Sequence, residues 1–564
     1  MHSSRPMLRR QAYNVFVLLL AFRLVNALCV QTYFQPDEYF QSLEPAWQMA
    51  FGLDSGAWIT WEWREHLRSS LHPMIFAGVY RSATEVCGLL DVTTGTRAAI
   101  LLAAPKVLQA IIAATGDFFT WALASLYYWP WQGFLDEARK RTHQTYVTAP
   151  QSKDGPSINT TVPQSRSFPD QGSKTVDHLT TADSALDVAY SPDGLYIPLS
   201  LAAVACILRP TNIIIWAAIT LCLLGRTHDF QKMTTLASSA ILCGTGVLTV
   251  SLAVDRAYYG QWVFPPIQFL YFNIVQGVAG FYGLNRLDYY FTEGLPLLLT
   301  TALPFAGIGM WHALRPGEDR KHLNGYVERQ TLYLLAVAVV ATVLAMTAIS
   351  HKEAAGSLLP LRTAQQRQAS IARIAAQCQH IHRGVRHVRA QRGVVDVMHF
   401  LRHEQEARLP DSPAYSAESL KHGSNVTVGF FMPCHSNPWR SHLVYPEIKA
   451  WALTCEPPLD LSVEERNHYE DEADIFYNDP ASWVDDNMES RDSILKAKPG
   501  ALELRQEDHA RRTWPQYLVF FEQLEPIMSG MLEGTVYDEC WRGFNTHWHD
   551  DLRRRGDIVV WCMR

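Results

Sequence analysis

Directly after its first long apolar stretch the chain reads Gln35-Pro36-Asp37-Glu38-Tyr39-Phe40-Gln41. Pro36 fixes its own backbone and biases Gln35 towards an extended conformation. The two adjacent carboxylates then open what reads as a short helix. They are either helix-start acids suited to the N-terminal dipole, or a general base, Asp37, whose neighbour Glu38 orients a sugar or tunes its pKa. Next comes Trp58-Ile59-Thr60-Trp61-Glu62-Trp63-Arg64-Glu65, followed by Leu67-Arg68-Ser69 and Leu71-His72-Pro73. Three tryptophans in six residues beside an apolar segment suit a membrane-interface belt. Flat faces such as that of Trp61 also suit sugar rings, and Arg64 or Arg68 could meet a phosphate. Arg256 with Tyr258-Tyr259-Gly260-Gln261-Trp262 forms a second aromatic group, and His351-Lys352-Glu353 follows the last clear apolar run. There a lysine either snorkels, or Lys352 or His351 neutralises a leaving phosphate.

These residues must be positioned by membrane helices. The chain has 564 residues, 48% hydrophobic and 18% charged, with a net charge of −6 and a pI near 6.4. That balance argues against a basic nucleic-acid binder. Ten cysteines without a CxxC pair argue against a zinc module or a dense disulfide framework. Apolar segments recur at Val15–Val30, Pro73–Leu90, Ala98–Tyr128, Leu195–Leu224, Leu236–Val254, Leu295–Trp311 and Leu332–Ile349. Several are long enough to cross about 30 Å of hydrocarbon. Arg9 and Arg10 precede the first, which reads as an uncleaved signal anchor with a cytosolic N-terminus. The loop 31–72, the loop 255–294 and the chain from His351 onward then share the opposite, luminal side. Arg209-Pro210 splits its apolar run and predicts a broken helix.

Five regions follow: N-terminal spans with a catalytic loop over 1–130, a polar disordered insert over 131–192, a central bundle over 193–353, an Arg/His/Gln-rich segment over 354–425, and a mixed, folded luminal region over 426–564.

Taken in order, the motifs resemble those of the dolichyl-phosphate-mannose-dependent mannosyltransferases of the endoplasmic reticulum, glycosyltransferase family 22. The shared pieces are Gln35 to Gln41, Ile59 to Arg64, Leu67-Arg68-Ser69, His72-Pro73, Arg209-Pro210-Thr211, Asp255-Arg256, Tyr258-Tyr259-Gly260, Asn273-Ile274-Val275, Phe281-Tyr282-Gly283 and His351-Lys352-Glu353. Met432-Pro433-Cys434-His435-Ser436, Pro438-Trp439-Arg440-Ser441-His442 and Trp451 to Pro458 point within that family to the branch acting on glycosylphosphatidylinositol (GPI) anchors. The resemblance implies an α-helical polytopic membrane protein of GT-C type, with luminal loops and a mixed C-terminal extramembrane region. It implies transfer of the third, α-1,2-linked mannose from dolichyl-phosphate-mannose to the GPI precursor by one inverting displacement. Asp37 and Glu38 then form the catalytic pair. Trp61, Glu62, Arg64, Arg68, His72, Arg256, Tyr258, His351, Lys352 and Glu353 line the substrates. No metal or cofactor is called for, because the donor carries a single phosphate.

The chain also departs from that pattern. Between Ala122 and Leu126 relatives hold further membrane segments, and after Glu353 they continue with an apolar run. Here 354–425 is rich in Arg, His and Gln, so we expect missing spans and a segment read in another frame. An N-glycan mannosyltransferase remains open within the family; a transporter, a scaffold or an inactive family member remains open beyond it. Asn425-Val426-Thr427 is a glycosylation sequon on the luminal side, whereas Asn159-Thr160-Thr161 falls in a cytosolic loop. Cys434 and Cys455 could pair in an oxidising lumen.

Overall fold

The computed structural model describes residues 4–33, 35–147, 192–226, 229–276, 278, 286–315, 323–348, 391–409, 425–459, 461, 463–466, 468–491, 494, 511–547, 549 and 551–564. Apolar runs free of proline and glycine clusters form long helices, because in lipid each backbone group must find its partner inside the helix. The longer helices among the described residues of the helical part are α1 (Ser4–Cys29), α2 (Glu44–Phe51), α3 (Leu71–Leu89), α4 (Thr94–Val147), α5 (Pro192–Leu208), α6 (Ile213–Arg226), α7 (Phe230–Tyr259), α8 (Leu303–Leu314) and α9 (Leu323–Thr347). Within them Arg10–Cys29, Thr94–Leu123, Phe230–Tyr259 and Gln330–Thr347 are long and apolar enough to span a bilayer. Large side chains such as Leu18, Ile112 and Leu242 stay exposed, as a lipid-facing surface requires.

α1 packs on α4, α3 on α4, α5 on α7 and α6 on α9. Arg23 of α1 donates from Nε to Asp117 Oδ2 of α4 at 2.7 Å, with both side chains buried. A charge at membrane depth survives only when paired in this way, so the arginine that interrupts the first apolar run joins two helices.

The expected break at Arg209 is present. α5 ends at Leu208, Arg209 is extended, Pro210–Asn212 makes one 3₁₀ turn, and α6 then begins. The Asn212 amide donates to Ala205 O at 2.9 Å across the break. The polar insert expected over 131–192 starts differently: the α4 backbone continues helically through Val147, and 148–191 lie outside the described residues.

The C-terminal region is an α/β domain of three layers. Its five-stranded sheet has the order β2-β1-β3-β5-β4, with β1 Thr427–Phe431, β2 Lys449–Ala452, β3 Tyr517–Phe521, β4 Tyr537–Thr546 and β5 Gly556–Met563. β1 runs parallel to β2 and β3, whereas β5 is antiparallel to β3 and β4. β1 and β3 are buried along their whole length, so their sequences TVGFF and YLVFF read as continuous apolar runs rather than alternating ones. α10 (Gly393–Glu406) covers one face. α11 (Glu472–Asn478), α12 (Pro480–Asn487) and α13 (Glu525–Met531) lie on the other.

The position of α10 narrows the expectation that 354–425 is foreign to the fold: residues 391–409 belong to the domain, while 354–390 and 410–424 lie outside the described residues. The domain is in place by Gln391 rather than Val426, and Val394, Val395, Val397, Met398 and Leu401 fill its core. Their spacing is one helical face. In 14 residues, interleaved with Asp396, His399, Arg402 and His403, that face is too short for any span-length reading.

Candidate active site

Asp37 lies in the turn that leaves α1. Pro36 O accepts the Tyr39 and Phe40 N–H groups at 2.9 and 3.1 Å, so the chain coils directly behind the proline. Asp37 is half-buried and Glu38 exposed. The next residues, Tyr39–Leu43, form a π-helical turn that runs into α2. Such widened turns concentrate at functional positions.

What holds this turn is the C-terminal domain, a relationship absent from the sequence reading. Tyr33 and Phe40 belong to the same hydrophobic cluster as α10 and the sheet. Tyr33 OH donates to His435 O at 3.0 Å, and Phe40 packs on the His435 ring at 4.2 Å. Trp58 lies 5.1 Å from both His435 and Trp439, centroid to centroid. Glu44 is fully buried. It accepts Ser441 N–H at 2.8 Å on one oxygen and Trp58 N–H at 3.1 Å on the other. Burial raises its pKa, while the Ser441 and Trp58 donors and the Arg440 charge pull it back. Gly56 takes a left-handed turn (φ +72°), and its carbonyl accepts from Trp439 Nε1 at 3.1 Å. A Cβ there would stand 2.7 Å from Arg440 Nη2. The MPCHS and PWRSH segments therefore have a physical task, which is to seat the loop that carries Asp37. One signal was legible: two residue sets, each dense in polar and aromatic groups with no local use.

A second contact set fixes the far end of the loop. Asp255 at the end of α7 is fully buried and accepts from Ser70 N at 2.6 Å, Ser70 Oγ at 2.7 Å and Ser69 Oγ at 3.1 Å. Tyr259 OH donates to Arg68 O at 2.7 Å and Tyr258 OH to Gln48 Oε1 at 3.0 Å.

The expected substrate-lining residues divide accordingly. Trp61 is packed with Leu67, Phe272 and Val278, and Trp63 is buried with its Nε1 donating to Phe40 O at 3.1 Å, so these two rings are enclosed by protein. Arg68 donates to Glu62 at 2.8 Å, and Arg64 pairs with Glu456 of the C-terminal region. Arg256 lies 4.8 Å from the Trp262 ring centroid. His72 Nδ1 is 3.2 Å from Ser42 Oγ, just past the π-helical start. Tyr258 and Arg68 thus border the same loop as Asp37. His351, Lys352 and Glu353 lie outside the described residues. Asn425 is exposed at the entry to β1.

Cysteines divide by region. Cys434–Cys455 and Cys540–Cys562 are disulfides of the C-terminal domain, while Cys29, Cys87, Cys206, Cys222 and Cys243 of the helical part are free. Cys434, His435 and Cys455 approach one another as metal ligands would, but the disulfide occupies both sulfurs. Burial and the Arg554 charge hold His435 down at about 4, and burial with Lys106, His399 and Arg402 takes His442 well below its usual range. Both are neutral packing groups near pH 7.

Apolar helices of bilayer length, joined by an ordered loop that a disulfide-bearing domain roofs over, make this an integral membrane protein of the helical class. Residues 14–354 match the Alg9-like mannosyltransferase family. The chain belongs to that family and is a mannosyltransferase. Its relatives include proteins named GPI mannosyltransferase 3 from Aspergillus fumigatus (40% identical over 98% of this chain and 77% of the relative), Emericella nidulans (38%, over 98% and 78%) and Gibberella zeae (35%, over 98% and 95%). The Aspergillus comparison runs over 614 residues, more than the 564 of this chain, so that relative has residues where this chain has none. No solved structure matches.

Proposed function

We propose that the protein is a GT-C-type enzyme of the endoplasmic reticulum that transfers the third mannose, α-1,2-linked, from dolichyl-phosphate-mannose to the GPI precursor. The observation that carries this reading is that relatives named for that step align over nearly the whole chain. Their alignment includes the C-terminal domain, which lies outside the family match at 14–354. The disulfides confined to that domain support a luminal, oxidising location for it and for the Asp37 loop beneath it. Asn425, beside this domain, is then a glycosylation site.

Asp37 accepts the proton of an acceptor mannose hydroxyl while that oxygen forms its bond to the donor's anomeric carbon. The bond from that carbon to the phosphate oxygen breaks in the same step, and dolichyl phosphate leaves with the electron pair. One displacement inverts the centre, so no nucleophilic carboxylate is needed. Glu38 orients a hydroxyl or tunes Asp37. Arg68, Arg256, His351 and Lys352 are the candidates for meeting the phosphate charge as it develops. Arg64 faces Glu456 and serves docking. His72, Tyr258, Glu62 and Trp61 shape the loop, and Glu353 borders His351 and Lys352 in sequence. The chemistry uses no cofactor.

The test is complementation of cells that lack the third GPI mannosyltransferase, reading surface GPI-anchored proteins and accumulated lipid intermediates. Rescue by this chain and not by its Asp37→Asn form supports the reading. A well-expressed chain that leaves the dimannosyl intermediate in place, yet extends an N-glycan precursor, overturns it.

A further inference from the structure

Two turns of the C-terminal domain grip the Asp37 loop, and one disulfide joins them. Cys434 follows β1 and Cys455 follows β2, parallel neighbours in the sheet, so the bond links the turns beyond their carboxyl ends. The residue after Cys434 is His435. Its carbonyl accepts from Tyr33 OH at 3.0 Å, and its ring packs on Phe40 at 4.2 Å and on Trp58 at 5.1 Å. The residue after Cys455 is Glu456, which pairs with Arg64. The loop is thus held on both sides of Asp37, at Tyr33 and Phe40, and again further along at Trp58 and Arg64.

The two ends of the bond are not equally fixed. On the Cys455 side, Thr454 donates its N–H and its hydroxyl to Glu472 of α11 at 2.9 and 2.7 Å. Glu456 O accepts from Tyr469 OH at 2.9 Å, so this turn is anchored to the domain on either side of the cysteine. On the Cys434 side the backbone turns left-handed at His435 (φ +53°). That conformation is costly for a residue with a side chain and persists only where its surroundings impose it. Cys434 O accepts from Arg554 Nη2 at 2.9 Å. The Cys455 sulfur lies 3.9 Å from His435 Nδ1, so the bridge also packs on the ring that Phe40 touches. The tether carries the rigidity of the Cys455 turn to the strained turn that meets Tyr33 and Phe40.

We propose that Cys434 and Cys455 are a positioning pair for mannosyl transfer: their disulfide holds His435 in the left-handed turn that seats Tyr33 and Phe40, and so places Asp37 between them. Glu44 and Gly56 are held separately, by Ser441 and Trp439. Opening the bond therefore shifts the Asp37 turn without undocking the domain. The second disulfide has another task. Cys540–Cys562 joins β4 to β5, strands already paired as neighbours, and braces the sheet rather than the seat of the loop. The effect on rate rests on the reading of Asp37 as the base; the effect on the loop rests on these contacts alone.

The test uses the full chain in lipid nanodiscs, with hydrogen exchange over residues 33–64 and transfer kinetics measured side by side. Wild type is compared with Cys434→Ser/Cys455→Ser and Cys540→Ser/Cys562→Ser. A fourth form, Cys434→Val/Cys455→Ala, restores packing volume without the link. Both forms lacking the Cys434–Cys455 bond should exchange about tenfold faster over residues 33–40, as a local opening does. Their kcat should fall about 10²-fold, the cost of misplacing a reacting group by about 1 Å, with both KM values within about threefold of wild type. Cys540→Ser/Cys562→Ser should melt lower yet keep wild-type kcat and wild-type exchange over 33–40. Unchanged exchange there in folded protein lacking the Cys434–Cys455 bond overturns the proposal, as does an equal kcat loss in the two serine pairs. Should a serine pair not fold, folded wild type reduced with a water-soluble phosphine and alkylated gives the same comparison, with mass spectrometry assigning the loss of rate to one pair or the other. If exchange rises as expected while Asp37→Asn transfers at the wild-type rate, the positioning of the loop stands and the reading of Asp37 falls.

Discussion

The carboxylate of Glu44, seven residues after Asp37, accepts the backbone N–H of Ser441 at 2.8 Å across a sequence separation of 397. With Trp58 N–H on its other oxygen, this one buried side chain ties the Asp37 turn to the C-terminal domain. Glu44→Ala leaves both donors unmet, at about 1–3 kcal/mol for the buried Ser441 N–H and less for the half-buried Trp58 N–H. Glu44→Gln turns an amide towards one of them and costs about half as much. Thermal melting of the detergent-solubilised protein checks the order. Easier proteolytic release of the C-terminal domain from the alanine variant shows that the lost contact is the docking one.

Asp37→Asn should leave melting within about 0.5 kcal/mol of wild type, because a half-buried side chain at a turn contributes little packing. Its transfer rate should fall by about 10²–10⁴-fold, the usual contribution of a general base. Single-turnover assays with donor and acceptor saturating separate this from a binding defect.

Removing Asp255 attacks the loop from its other end. Asp255→Ala strips Ser70 N–H and the Ser69 and Ser70 hydroxyls of their acceptor. A destabilisation of about 3–5 kcal/mol is expected, as for breaking a buried charged network. Asp255→Asn should retain part of the bonding and lose less. Expression level and melting of the two variants give the comparison.

The disulfides predict a domain-selective response to reductant. Cys540 and Cys562 close 22 residues of chain, which is worth about 3 kcal/mol. Cys540→Ser should lower the stability of the C-terminal domain by that order. Before reduction, maleimide should leave Cys434, Cys455, Cys540 and Cys562 unlabelled; after denaturation with reductant it should reach all four.

Acid should undo the docking. An unfolded imidazole titrates near 6.5, whereas buried His435, next to Arg554, resists protonation down to about 4. Between those values the unfolded chain binds more protons, so stability falls as pH drops from about 6.5 to about 4, and levels off below. His399, also held at about 4 by burial and Arg402, adds to the same window. Melting curves across pH 4–7 should show this slope, and His435→Phe should reduce it.

Much of the membrane part was legible from the sequence because lipid imposes a one-dimensional rule: an apolar run of sufficient length becomes a helix. Hence α1, α4, α7 and α9 fall on predicted apolar segments, and Arg209-Pro210 breaks its helix where proline chemistry requires. Asp37 and Glu38 stood out for the same local reason, as charges placed beside a span. The mixed region after Val426 read as a folded domain, although α10 was missed because its apolar face is short and diluted by Arg and His.

Only the tertiary structure decided how those residues are used. No local pattern says that Glu44 meets Ser441, that Arg64 pairs with Glu456, or that Cys540 joins Cys562, because each contact spans a stretch of chain that spacing does not encode. Burial likewise separated the tryptophans, enclosing Trp61 and Trp63 while leaving Trp58 to pack on the docked domain. Span, break and acidic turn follow from the nearest neighbours along the chain. The seat of Asp37 arises where two distant segments exclude water from one another, and that depends on the whole fold.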